Sequence, residues 1–92
     1  MMLEAIGRAA MLEQLAEEAA ELAQAALKAA RILRGDNPIP VTLKEAEEHL
    51  VEEYTDVYQC AMELGIPVDW QQIEEKRERW MKRVREMRSA NV

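Results

Sequence analysis

The sequence predicts an all-α fold: an antiparallel bundle of about three main helices per chain, completed by oligomerisation. Three observations predict it. Apolar residues recur at spacings of three and four, and no alternating strand pattern competes with them. Glycine and proline interrupt the chain in only two useful places, "RGDNPIPVT" (Arg34 to Thr42) and "LGIPVD" (Leu64 to Asp69). Of the 92 residues 49% are apolar, yet phenylalanine is absent and aromatics are only 4%, so many apolar positions are alanines that bury little area. A single domain spanning residues 1–92 lies near the lower limit for a self-sufficient core, and association with further copies is the expected remedy.

The first helix is expected from Leu3 to Arg34, with Gly7 loosening its opening turns. Its apolar stripe reads Leu12, Leu15, Ala19, Leu22, Ala26 and Leu33. Gly35 stands where a helix C-terminus favours positive φ, and prolines follow it. The second helix is expected from Leu43 to Leu64, opened by the capping pair Thr42 and Glu45 and closed by Gly65. Its stripe is Leu43, Ala46, Leu50, Val57, Ala61 and Leu64. The third is expected from Trp70 to Arg88, capped by Asp69 and Gln72, with a stripe of Trp70, Ile73, Trp80, Val84 and Met87.

Charge and composition exclude several classes. With 18 acidic and 12 basic residues the net charge is -6, the wrong sign for nucleic-acid binding by counterion release. Glu4, Arg8 and Glu13 interrupt the apolar run that a signal peptide needs. No stretch approaches the ~20 apolar residues that cross a bilayer. Cys60 is the only cysteine, so no intrachain disulfide forms, as suits a reducing compartment. A cytoplasmic protein without nucleic-acid or membrane partners is the expectation.

Two acidic clusters carry the chemistry. "EEAAE" (Glu17 to Glu21) lies on the first helix and "EEYTD" (Glu52 to Asp56) on the second. At about 100° per residue, Glu18 falls roughly 60° from its stripe and Glu21 roughly 120°, with Glu17 nearly opposite. Glu53, Asp56 and Glu52 occupy the same three positions, in the same sense, on the second helix. A single such cluster is usually solvated surface. Two in matching rotational positions bring four carboxylates to adjacent helix borders. Their mutual repulsion is relieved by separation or by a hard divalent cation, Mg²⁺ or Mn²⁺, which prefers carboxylate oxygen.

An EExxE followed across a loop by an EExxD resembles the MazG-like family of all-α nucleoside triphosphate pyrophosphohydrolases. The resemblance runs through "EEAAELAQAALKAAR" and "LVEEYTDVYQCAMELGI" and covers roughly Leu12 to Arg79. It implies metal ligands at Glu18, Glu21, Glu53 and Asp56, with Mg²⁺ bound among the phosphates of a nucleoside triphosphate. It implies cleavage to a nucleoside monophosphate and pyrophosphate by a homodimer or homotetramer. The stretch between the motifs is somewhat long because of "GDNPIPVT". Dimeric dUTPases and phosphoribosyl-ATP pyrophosphatases share the acidic pattern, which therefore specifies chemistry better than base.

Such chemistry needs a proton acceptor and a receiver for phosphate charge. Glu18 or Glu21 is the expected general base, and the sequence does not choose between them. Lys76, Arg79 and Arg83 share a face of the third helix, and Lys76 and Arg79 are the candidate phosphate contacts. Lys28, two turns beyond Glu21, is a third; it binds phosphate or pairs with Glu21 or Gln24. His49, the only histidine, reads as surface, and Cys60 as packing. Tyr54 and Trp80 read as buried, Tyr58 as similar but closer to solvent. The rival class is a non-enzymatic helical dimerisation or adaptor module, which explains the alanine-rich helices but not the duplicated acids.

Overall fold

The computed structural model describes residues 2–36 and 40–90. Four helices follow in order: α1 (Met2–Ile6), α2 (Arg8–Arg34), α3 (Leu43–Leu64) and α4 (Trp70–Ala90). The described chain is all-α, as the periodicity predicts. The long first helix is divided at Gly7, whose φ of +86° and ψ of 162° lie in a region open essentially to glycine alone. Gly7 N–H donates to the Leu3 carbonyl at 2.9 Å, and the Gly7 carbonyl accepts from Met11 N–H at 3.1 Å. One residue thus closes α1 and opens α2.

The remaining boundaries follow local chemistry. Gly35 and Gly65 adopt left-handed conformations. Behind them Asp36 N–H reaches Arg31 O and Ile66 N–H reaches Ala61 O, so both helix ends satisfy their last carbonyls in the Schellman manner. At the start of α3, Thr42 Oγ1 accepts from Glu45 N–H at 3.1 Å and donates to the Glu45 carboxylate at 3.0 Å. At the start of α4, Gln72 N–H donates to Asp69 Oδ1 at 3.0 Å. Of the loop between α2 and α3, Asn37 and Pro38 lie outside the described residues.

Helices α2 and α3 form an antiparallel hairpin. Arg8, at the start of α2, donates to the carbonyl of Leu64, at the end of α3, at 3.2 Å. Met11, Cys60 and Leu64 form a buried cluster beside that contact, and Leu3 of α1 and Leu15 pack on it. Further along, the buried inner residues are alanines, Ala25, Ala29 and Ala46, with Leu22 and Leu50 half-buried. Small side chains let the two backbones approach closely; that proximity brings the acids together.

The first-helix stripe needs correction. Leu12 is 44% and Leu33 68% exposed, and Ala19 and Ala26 are also exposed. The buried face runs instead through Met11, Leu15, Glu18, Leu22, Ala25 and Ala29. A wheel centred on the largest side chains pointed about one residue away, because alanine rather than leucine lines the close helix contact. The second-helix stripe agrees with the structure, with Leu64 and Ala46 buried and the other four half-buried.

Helix α4 packs against no other helix among the described residues. Its stripe of Trp70, Ile73, Trp80, Val84 and Met87 is therefore uncovered, and Trp80, expected in a core, is 59% exposed. Tyr54, likewise expected to be buried, is 57% exposed. The radius of gyration of 17.4 Å exceeds the ~12 Å of a compact domain of this length. No helix among the described residues is long and apolar enough to cross a membrane.

Candidate metal centre

The acids of the two middle helices converge. Glu18 of α2 and Glu53 and Asp56 of α3 each present a carboxylate oxygen, all within 4.8 Å of one another. The antiparallel pairing sets this: Glu53 and Asp56 are one turn apart on α3, and Glu18 faces them from α2. Neither Glu18 nor Asp56 is fully exposed, and Glu53 is buried at 9% exposure. Glu53 is thus an interior residue rather than the border residue its wheel position suggested.

Local hydrogen bonding is the same on both sides. Gln14 Nε2 donates to Glu18 Oε1 at 2.8 Å, and His49 Nε2 lies 3.0 Å from Glu53 Oε1. Both donors stand four residues before their acceptors, one helical turn away. Glu18 Oε2 and Glu53 Oε2 are buried without a hydrogen-bond partner. A buried, unsatisfied carboxylate oxygen is costly, and two of them on residues that converge need compensation from a positive charge. The donor set, hard oxygen from three carboxylates, fits a divalent cation of the Mg²⁺ or Mn²⁺ type.

Glu21 stands outside this three-way convergence and is exposed. Its carboxyl sits above its ordinary range, chiefly through the neighbouring Glu53 carboxyl; desolvation adds to this and Asp56 adds less, while Glu18 opposes it. The Cys60 thiol is also pushed up, chiefly by burial and secondarily by Glu18, Asp56 and Glu63. Cys60 packs in the interior, in agreement with its sequence reading.

A cleft of about 480 Å³ is lined by Glu21, Gln24, Lys28 and Arg31 of α2 and by His49 of α3, so it adjoins the cluster through Glu21 and His49 and not through Glu18, Glu53 or Asp56 themselves. Lys28 therefore shares a cleft with Glu21. Lys76 and Arg79 do not: they lie exposed on α4, which the fold leaves apart from α2 and α3. His49 is half-exposed as expected of a surface residue, but its ring is engaged by Glu53. Four residues escaped sequence reasoning: Gln14, His49, Arg31 and Glu63, whose Oε2 is also buried and unpartnered. Their signal was spacing, since they lie four before Glu18, four before Glu53, three after Lys28 and seven after Asp56.

No protein-family model, curated protein or solved structure matches the chain.

Proposed function

We propose that the chain is a Mg²⁺-dependent nucleotide pyrophosphohydrolase, of the kind its acidic motifs resemble, cleaving a (d)NTP to (d)NMP and pyrophosphate. One observation carries the reading: carboxylates from two helices meet at a point where two of their oxygens are buried and unpartnered. Glu18, Glu53 and Asp56 would hold the cation, with Glu21 at the rim. A divalent cation there supplies charge neutralisation for the phosphate oxygens and lowers the pKa of water.

The chain's own residues supply the rest. Glu21 is the exposed carboxylate of the set and borders the open cleft, so water reaches it more readily than it reaches Glu18, which is already engaged by Gln14. It is the better placed of the two expected bases to take the proton from the attacking water. Lys28 and Arg31 bring positive charge to the same cleft and receive phosphate. Lys76 and Arg79 join them only if α4 arrives from a neighbouring subunit.

That arrangement suits the charge distribution. Helix α4 holds seven of the twelve basic residues and only four of the eighteen acidic ones. The rest of the chain is correspondingly acidic. A homodimer or homotetramer in which α4 crosses onto the α2–α3 pair of another copy covers its tryptophans and pairs opposite charges.

The alternative, a non-enzymatic dimerisation or adaptor module, draws on the same uncovered α4 face but leaves the buried carboxylate oxygens without a role. The deciding experiment is a panel of NTPs and dNTPs with Mg²⁺, scoring pyrophosphate separately from orthophosphate. Pyrophosphate release supports the reading. Orthophosphate alone, or no turnover together with no divalent binding, overturns it.

A further inference from the structure

We infer that Gln14 and His49 are paired positioning residues of the cation site, an inference that rests on the metal reading above. Each donates to Oε1 of a glutamate one turn further along its own helix, at 2.8 Å for Gln14–Glu18 and 3.0 Å for His49–Glu53. Because the carboxylate can only accept, the His49 tautomer with hydrogen on Nε2 is the one this contact selects. With Oε1 engaged, each carboxylate keeps a second oxygen that is buried and without a partner. Two glutamates on different helices thus carry the same device: one oxygen tied locally, the other left for a ligand.

The physical consequence is preorganisation. A glutamate side chain loses substantial rotamer freedom when ordered, and a donor that fixes it before the cation arrives removes part of that cost from binding. Hydrogen-bonded partners of metal ligands characteristically change affinity by about 10–100-fold when removed. The remaining acids around the pair are Glu21, Asp56 and Glu63, the last lining a small cavity with Gln14, Glu18 and Asp56, and none of them offers a donor when ionised.

The test is calorimetric Mn²⁺ titration of the full chain, with helicity and melting checked by circular dichroism. His49→Ala and Gln14→Met are each expected to weaken Mn²⁺ binding about 10-fold or more, while His49→Gln restores it to near the wild-type value. The rescue is concrete, since Gln14 already shows that a glutamine reaches a carboxylate one turn ahead. Both single variants binding like wild type, while Glu53→Gln abolishes binding, would overturn the inference and leave the metal site standing. Equal weakening in His49→Ala and His49→Gln would overturn the donor role of His49. Absence of Mn²⁺ binding to the wild-type chain would remove the metal reading and this inference with it.

Discussion

The carboxyls of Glu21 on α2 and Glu53 on α3 interact across the α2–α3 interface, and Glu53 is the largest cause holding the Glu21 carboxyl above its ordinary range. The fold therefore brings together groups that repel when ionised, an electrostatic load that a proton or a bound cation would relieve.

The first prediction concerns pH. A carboxyl whose folded pKa is raised contributes stability that is fully present below its unfolded value and is lost as pH rises through the raised value. For Glu21 that decline begins above the ordinary 4.5. In a chelator, urea midpoints are expected to fall as pH rises from the acid side toward neutrality, and Glu21→Gln is expected to flatten that slope. Cys60, also raised, adds a loss of the same sign only at alkaline pH. An unchanged slope in Glu21→Gln would show that the load lies elsewhere.

The second prediction concerns the cation itself. A ligand at a hundredfold excess over its Kd stabilises the native state by about 2.7 kcal/mol, on the order of 10 °C or more for a chain of this length. Mg²⁺ or Mn²⁺ is expected to raise the wild-type melting temperature accordingly. Glu53→Gln and Asp56→Asn are expected to abolish that rise while leaving the chelated protein at least as stable as wild type, because each removes a negative charge from the cluster. A variant that is destabilised in chelator yet still stabilised by divalents contradicts the assignment.

The third prediction tests the bend before α2. Gly7 occupies a backbone region that costs other residues about 1–3 kcal/mol, and no side-chain clash compounds this, since nothing lies within 4 Å of a Cβ placed there. Gly7→Ala is expected to lower stability by that amount through backbone strain alone. If α1 detaches to escape the strain, Leu3 leaves the Met11, Cys60 and Leu64 cluster, and protease cleavage near the N-terminus rises. Urea denaturation indistinguishable from wild type would show that α1 is not held by this bend.

What the sequence revealed and what it hid divide along physical lines. Helix ends were legible, because Thr42, Asp69, Gly35 and Gly65 act on their own neighbours and need no tertiary context. The convergence of Glu18, Glu53 and Asp56 was legible in outline, because 100° periodicity places residues on a face whatever the face then meets. The packed face of α2 was not, since it depended on how closely the helices approach, and there alanine prevails over leucine. Nor was the position of α4, because its amphipathic stripe states that something covers it without stating what. His49 escaped because a wheel records angle to a stripe, not a hydrogen bond to an acid one turn on.

The last prediction concerns Lys76 and Arg79. Within one chain α4 packs against neither α2 nor α3, so any action of these two cations on the carboxylate site would have to cross a subunit boundary. Lys76→Ala with Arg79→Ala is expected to raise KM for the nucleotide more than it lowers divalent affinity, because these residues would contact phosphate rather than the cation. Glu53→Gln is expected to lose divalent binding and turnover outright. If the site is shared, coexpressing the two defective chains produces mixed oligomers in which one subunit contributes intact carboxylates and the other an intact α4. Some sites then regain turnover at the wild-type KM, which neither variant shows alone. Trp80→Glu, which places a charge in the uncovered stripe, is expected to shift sedimentation toward monomer and to abolish that complementation. Wild-type chains that sediment as monomers and still release pyrophosphate would remove α4 from the site and leave Lys28 and Arg31 as its phosphate receivers.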